Sequence, residues 1–301
     1  MNVIQTEKLS KSYGAQRVLH DIDLQVKTGR LVGFLGPNGA GKTTTIRILL
    51  GLLRASSGKA EIFGKPARQH GKQIRAEIGY LPGDVHLYPN MTGRSMLEFM
   101  ARARRTECSA EIDRLATLFD LQLNKTVRKY STGMRQKLGL IQALMHRPKL
   151  LILDEPTSGL DPLVRKSVFD ELRNVIADGR TVLFSSHSLD EVEELCDEVI
   201  ILRNGKIVEQ QLIETLRKRA LRRIEVVFAE SIPTELPNEF QSINQTANSI
   251  LGTWTGDMKK LLDWVALLDV VDLIIERPDL NDLFITYYSD VIANHSNTGT
   301  E

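Results

Sequence analysis

The sequence predicts an α/β fold built round a parallel sheet, and three observations carry that expectation. Short apolar runs at residues 31–35, 150–153, 181–185 and 199–202 are separated by stretches of helical period. The first of these runs leads directly into a glycine-rich turn and then a helix. A mostly helical tract, from about residue 92 to 146, interrupts the alternation and reads as an insertion.

Taken in order, residues 3–9 and 19–26 alternate with period two, the pattern of half-buried antiparallel strands, and predict a β-subdomain at the N-terminus. Residues 31–35 are a buried strand. Residues 42–53 are helical, with Ile46, Leu49, Leu50 and Leu53 on one face. Strands follow at 60–63 and 78–81. In the insertion, bounded at about 85–148, Thr92 suits a helix N-cap and Met96, Leu97, Phe99 and Met100 supply an apolar face. Asn204-Gly205 marks a tight hairpin between residues 199–202 and 206–209.

Beyond about residue 216 the pattern changes. Strands are expected at 224–228, 250–254 and 270–275, an amphipathic helix at 258–268 and another helix at 280–288, with Pro233 and Pro237 as punctuation. Residues 1–215 therefore read as one domain and 216–301 as a small C-terminal α+β domain. The polar residues 292–301 are expected to fray.

Composition removes several function classes. The 39 basic and 38 acidic residues leave a net charge of +1, so no overall basic field points to nucleic acid. No apolar run approaches the ~20 residues that span a bilayer, so any membrane contact is expected to go through another protein. Nor does the start resemble a secretory signal. Cys108 and Cys196 lack a C-x-x-C spacing and read as reduced thiols.

Gly36-Pro37-Asn38-Gly39-Ala40-Gly41-Lys42-Thr43 fits G-x-x-x-x-G-K-[ST], a phosphate-binding loop, with Thr44 next in the helix. The glycines let main-chain N–H groups close round phosphate oxygens, and the helix adds its positive end. Lys42 would reach the β- and γ-phosphates and the Thr43 hydroxyl would ligate Mg²⁺. The strand at 150–153 ends in two carboxylates, Asp154 and Glu155, where such sheets hold ligands. Asp154 is assigned to the metal and Glu155 to the attacking water. His187, in Ser185-Ser186-His187 after another strand, is placed to donate to the γ-phosphate. The histidines at 20, 70, 86, 146 and 295 have no such setting and read as structural.

Together these segments resemble the ATP-binding-cassette family. The discriminating peptide is Tyr130-Ser131-Thr132-Gly133-Met134-Arg135-Gln136-Lys137, similar to that family's L-S-G-G-Q signature. The resemblance covers about residues 1–215 and implies a P-loop ATPase domain. It also implies a head-to-tail homodimer, in which Ser131 and Gly133 cradle the ATP held by the other copy. Tyr13 matches the aromatic that stacks on adenine, Ser158-Gly159-Leu160-Asp161 the loop crossing the dimer seam, and His187 the switch histidine. Two departures stand out. Leu81-Pro82-Gly83-Asp84 has Gly83 where the family commonly has Gln, which leaves Asp84, through water, as the alternative near the metal. The signature has Thr132 for Gly and Met134 for Gln.

The Gly83-Asp84 variant, the Met134-Arg135-Gln136 ending and Arg277-Pro278-Asp279-Leu280-Asn281-Asp282-Leu283-Phe284 are similar to a branch that works with separate ABC-2 type permeases, many of them exporters. The resemblance thus implies a Mg-dependent ATPase subunit on the cytoplasmic face of the cell membrane, energising export of a drug, antibiotic or lipid. Import, or a soluble ATPase acting on ribosomes or DNA, remains the alternative. No nucleic-acid partner is expected.

Overall fold

A computed structural model describes residues 1–219, 222–233 and 235–276. The chain opens with β1 (Asn2–Tyr13), β2 (Gln16–Ile22) and β3 (Gln25–Lys27), then β4 (Leu31–Leu35) and α1 (Lys42–Leu49). β1 pairs antiparallel with both β2 and β3. The alternation at 19–26 is therefore two strands rather than one. Thr6 explains the break: its hydroxyl donates to Ile22 O and accepts from Leu24 N, taking the place of the ladder between them. Helix α1 is also shorter than the expected 42–53. Gly51 adopts a left-handed conformation (φ +66°), and the N–H groups of Leu52 and Leu53 turn back to Arg47 O, so the helix is closed off before Leu53.

β5 (Ser57–Ile62), β6 (Lys65–Pro66), α2 (Ala67–Ala76) and β7 (Ile78–Leu81) follow. β5 returns to β1, giving an antiparallel sheet of order β2-β1-β5-β6 with β3 attached to β1. The insertion consists of α3 (Gly93–Arg104), α4 (Ser109–Leu118) and α5 (Thr132–Leu144), with a 3-10 turn at Val127–Lys129. Thr92 caps α3 by accepting the Ser95 N–H. Met96 and Leu97 are buried as expected, but Phe99 is 42% exposed. It lies about 200° round the helix from Leu97 and packs edge-on against Tyr88 instead.

β8 (Leu150–Asp154), α6 (Pro162–Ala177), β9 (Thr181–Ser186), α7 (Leu189–Leu195), β10 (Glu198–Arg203) and β11 (Lys206–Leu212) complete the first unit. The second sheet has the order β11-β10-β4-β9-β8-β7, and every pair is parallel except β10 with β11. Strands β4, β8 and β9 are buried along their whole length, because helices cover both faces of a parallel sheet. Asn204 (φ +46°) and Gly205 (φ +71°) form the two-residue turn of the β10–β11 hairpin. Since β4, β9 and β8 run parallel with β9 in the middle, the chain segments leaving β4 and β8 emerge at the same end of the sheet, one on each side of β9. That placement builds the site.

The chain divides into two compact units, Met1–Leu212 and Ile213–Glu301. The second contains α8 (Ile213–Arg219), β12 (Arg222–Phe228), β13 (Phe240–Gln245), β14 (Ser249–Trp254), α9 (Met258–Val265) and β15 (Val270–Ile275). Its antiparallel sheet runs β13-β14-β12-β15. Ile224, Val226, Phe228, Ile250 and Trp254 form a core with Leu261 of α9, where Trp254 and Trp264 stack. The helix expected at 280–288, the 277–284 peptide and the polar tail at 292–301 lie outside the described residues.

One ion pair ties the insertion to the parallel-sheet layer. Arg114 of α4 makes two hydrogen bonds to Glu171 of α6, whose side chain is 4% exposed, and a third group, Glu111, flanks it. The two carboxylates, Glu171 foremost, hold the guanidinium above its ordinary pKa range. Removing Arg114 would strand the buried Glu171, whereas removing Glu171 leaves Arg114 with Glu111 alone. Glu171→Ala is expected to lower the urea-unfolding free energy by about 2 kcal/mol, short of the full cost of a fully enclosed pair because Arg114 is half exposed.

Candidate active site

β4 hands the chain to the 36–41 loop, whose backbone only glycine fits at several points. Gly39 (φ +81°) and Gly41 (φ +110°) are left-handed, and a Cβ on Gly36 would lie 2.3 Å from Leu202 O. Gly41 is the N-cap of α1 and offers no side-chain acceptor, and the first turn carries no acidic residue. The N–H groups of that turn are thus left for an external anion.

Lys42 follows and is only 6% exposed. Its ammonium donates to Gly36 O, with Pro37 O at 3.4 Å, and stands 3.5 Å from Glu155 Oε1. Thr43 Oγ1 donates to Asp154 Oδ2 at 2.8 Å, and Ser185 Oγ donates to Asp154 Oδ1 at 2.5 Å. Asp154, 2% exposed, is therefore held at both oxygens by hydroxyls from β9 and α1. Its charge is felt nearby: burial, and then the Asp154 carboxylate, push the Tyr80 phenol above its usual pKa.

Glu155 leaves β8 with φ +52°, a left-handed conformation that a glutamate rarely adopts. Its N–H points to Ser185, with O and Oγ each at 3.2 Å. Oε2 lies 2.7 Å from His187 Nδ1, while Oε1 is buried and has no hydrogen-bond partner among the described residues. One oxygen is anchored and the other is left able to accept a proton.

Tyr13, Pro37, Asn38, Gly39, Gly41, Lys42, Thr43 and Thr44 line one cleft of about 310 Å³ with Asp154 and Glu155. Tyr13 is half exposed, with the Lys11 ammonium 4.8 Å from its ring centre. Gly36 and Ala40 shape the loop from behind: Gly36 packs on Leu202, and Ala40 O accepts the Gly205 N–H. Gly83 also lines the cleft, and a Cβ there would be in ordinary contact, 3.5 Å, with Asp154 Oδ2. The Asp84 carboxylate is 88% exposed, sits 3.7 Å from His86 and does not line this cleft. This loop meets Asp154 through the Gly83 backbone.

Ser131 and Gly133 stand apart from the cleft, at the start of α5. Ser131 accepts the Met134 N–H, and a Cβ on Gly133 would meet Gly159 O at 2.7 Å. Asp161 caps α6, and the Val164 N–H holds its carboxyl below the usual range. Sequence reasoning passed over three residues that the fold brings in. Val18 forms a wall of the cleft, Ser185 grips Asp154, and the Gln136 amide donates to Glu155 O at 2.9 Å. Only Gln136 and Ser185 had a signal, since each lies inside a quoted motif.

Residues 19–158 match the sequence model of a family described as ABC transporter. The chain is 41% identical over 226 residues to the bacitracin transport ATP-binding protein BcrA of Bacillus licheniformis, covering 74% of each. It is 33% identical to the daunorubicin resistance ATP-binding protein DrrA3 of Streptomyces coeruleorubidus, across 95% of this chain and 96% of that one. A solved structure described as the ATP binding subunit of an ABC transporter superposes with a TM-score of 0.67 at 32% identity, over 72% of this chain and 92% of the other.

Gly41→Ala puts a methyl group where φ is +110° and where Leu19 Cδ2 lies 2.5 Å from the new atom. Titration with a fluorescent ATP analogue should show binding weakened by about 5- to 150-fold, since strain of this kind costs on the order of 1–3 kcal/mol.

Proposed function

This chain belongs to the ABC transporter family of ATP-binding proteins, and from that premise we propose that it hydrolyses ATP to energise export of a small molecule, such as a drug, antibiotic or lipid, through a separate membrane permease. The observation that carries the proposal is the convergence, in one cleft, of a buried ammonium, a hydroxyl–carboxylate pair and a second carboxylate with one oxygen that accepts no hydrogen bond. Phosphoryl transfer needs little more from a protein than positioning and charge.

In this reading the loop N–H groups and Lys42 hold the β- and γ-phosphates, and Tyr13 supports the adenine ring. The donor set suits Mg²⁺: Thr43 Oγ1 and Asp154 Oδ2 are adjacent hard oxygens, and such a cation takes few protein ligands besides phosphates and waters. When bound, the ion neutralises charge on the terminal phosphates. Glu155 Oε1 accepts a proton from the water that attacks the γ-phosphorus. The bond to the β–γ bridging oxygen breaks, and ADP and phosphate leave. His187 steadies Glu155 through Oε2, and its other ring nitrogen is the one available to the γ-phosphate.

Ser131 and Gly133, away from the cleft, suit a head-to-tail homodimer in which each copy's α5 start faces the other copy's ATP. The described residues hold no helix long and apolar enough to cross a membrane. Transport then requires an integral membrane subunit, of ABC-2 type in this proposal, with the ATPase on its cytoplasmic face. Export is supported by the relatives, one concerned with bacitracin transport and the other with daunorubicin resistance.

Lys42→Ala should abolish phosphate release. Glu155→Gln should still bind ATP and should elute as a closed dimer, with turnover lowered by about 10²–10⁴-fold. Radiolabelled phosphate release and size-exclusion chromatography with ATP check both outcomes.

A further inference from the structure

Glu155 sits in a strained main-chain conformation, at φ +52°, and such strain of about 1–3 kcal/mol persists only where neighbours hold it. Its N–H meets Ser185 on the neighbouring strand β9, and its carbonyl accepts the Ser158 N–H at 3.2 Å within the following turn. A third hold comes from the helical insertion. Gln136 is 6% exposed on α5, and its Nε2 donates to the same Glu155 carbonyl at 2.9 Å across a sequence separation of 19.

The donor is itself well fixed. Gly133, three residues earlier on α5, approaches Gly159 so closely that a Cβ would lie 2.7 Å from Gly159 O. The first turns of α5 are thus registered on the 155–159 turn at two points, one by close packing and one by the Gln136 hydrogen bond. We propose that Gln136 is a positioning residue for hydrolysis: its amide locks the Glu155 carbonyl, and so keeps the left-handed twist that leaves Oε1 facing the attacking water.

The chemistry explains why an amide is needed. A carbonyl oxygen accepts, so the opposing group must donate. Methionine has the length and apolar fit of glutamine but donates nothing, whereas a carboxylate would face the carbonyl with like polarity until protonated. With that tie gone, the Ser158 and Ser185 contacts alone oppose relaxation toward an ordinary φ, which would swing the carboxylate off the 3.5 Å approach to Lys42. Lys42 keeps the Gly36 and Pro37 carbonyls and the loop N–H groups are untouched, so ATP binding is spared.

The proposal rests on the reading of Glu155 as the base, and phosphate release by the full wild-type chain tests that reading in the same experiment. Gln136→Met should lower kcat by about 10–100-fold, the cost of a misplacement near 1 Å, with KM for ATP changed by less than about twofold. Gln136→Glu should regain activity relative to wild type as pH falls from about 8 to about 6, because burial raises the new carboxyl's pKa and its protonated form again donates. A kcat for Gln136→Met within about twofold of wild type overturns the positioning role, as does a KM that rises in step with the loss of kcat. A Gln136→Glu profile parallel to wild type also overturns it. If wild type releases no phosphate, the assignment of Glu155 falls first and this proposal with it. Should Gln136→Met fail to fold, the Gln136→Glu profile alone decides.

Discussion

An ammonium taken out of water is costly unless charges and dipoles replace its hydration, and Lys42 is almost wholly enclosed. Its replacements are the Gly36 carbonyl, the Pro37 carbonyl and the Glu155 carboxylate. These come from two places, the loop after β4 and the end of β8. Holding Lys42 therefore requires the loop to curl over its own lysine and β8 to end nearby. The left-handed glycines meet the first demand and the strand order meets the second. In the proposed cycle the phosphates of ATP join the same charge cluster, so the constraint that shapes the loop also binds the substrate.

Around that ammonium the remaining groups are arranged by hydroxyls. β9 lies between β4 and β8, and its last residues include Ser185, which holds Asp154 from one side while Thr43 holds it from the other. Ser185 also meets the Glu155 N–H. A single serine thus sets the directions of two adjacent carboxylates, one turned toward Thr43 and the other toward Lys42 and His187. Division of labour between neighbouring acids follows from main-chain geometry, since Glu155 turns left-handed as Asp154 ends the strand. Both DrrA3 and this chain align over nearly their full lengths, so the likeness extends beyond the cassette into the C-terminal unit.

Much of this was legible in the residues because the signals are local. Buried strands show as apolar runs, the phosphate loop announces its glycines and lysine, and Asn204-Gly205 marks its turn. What escaped depends on tertiary contacts. β13 carries one buried residue, Phe240, and its other apolar residue, Ile243, lies three positions on and is exposed, so no period-two alternation reveals the strand. The end of α1 is decided by the turn at Gly51, and the split of residues 19–26 by a threonine on another strand. Gln136 and Ser185 lie in recognisable motifs, yet their hydrogen bonds to Glu155 and Asp154 join segments far apart in sequence. Asp84 was a reasonable alternative near the metal on chemistry alone, but the backbone carries its carboxylate to the surface.

If two copies complete each other's sites, catalysis must depend on their meeting. The most direct measurement is phosphate release by the isolated full chain at saturating Mg-ATP, followed as its own concentration is raised. Specific activity is expected to climb with concentration and then level off as paired chains predominate. A specific activity that stays constant down to dilutions at which the chain is monomeric by light scattering, or no release at any concentration, would contradict the shared site.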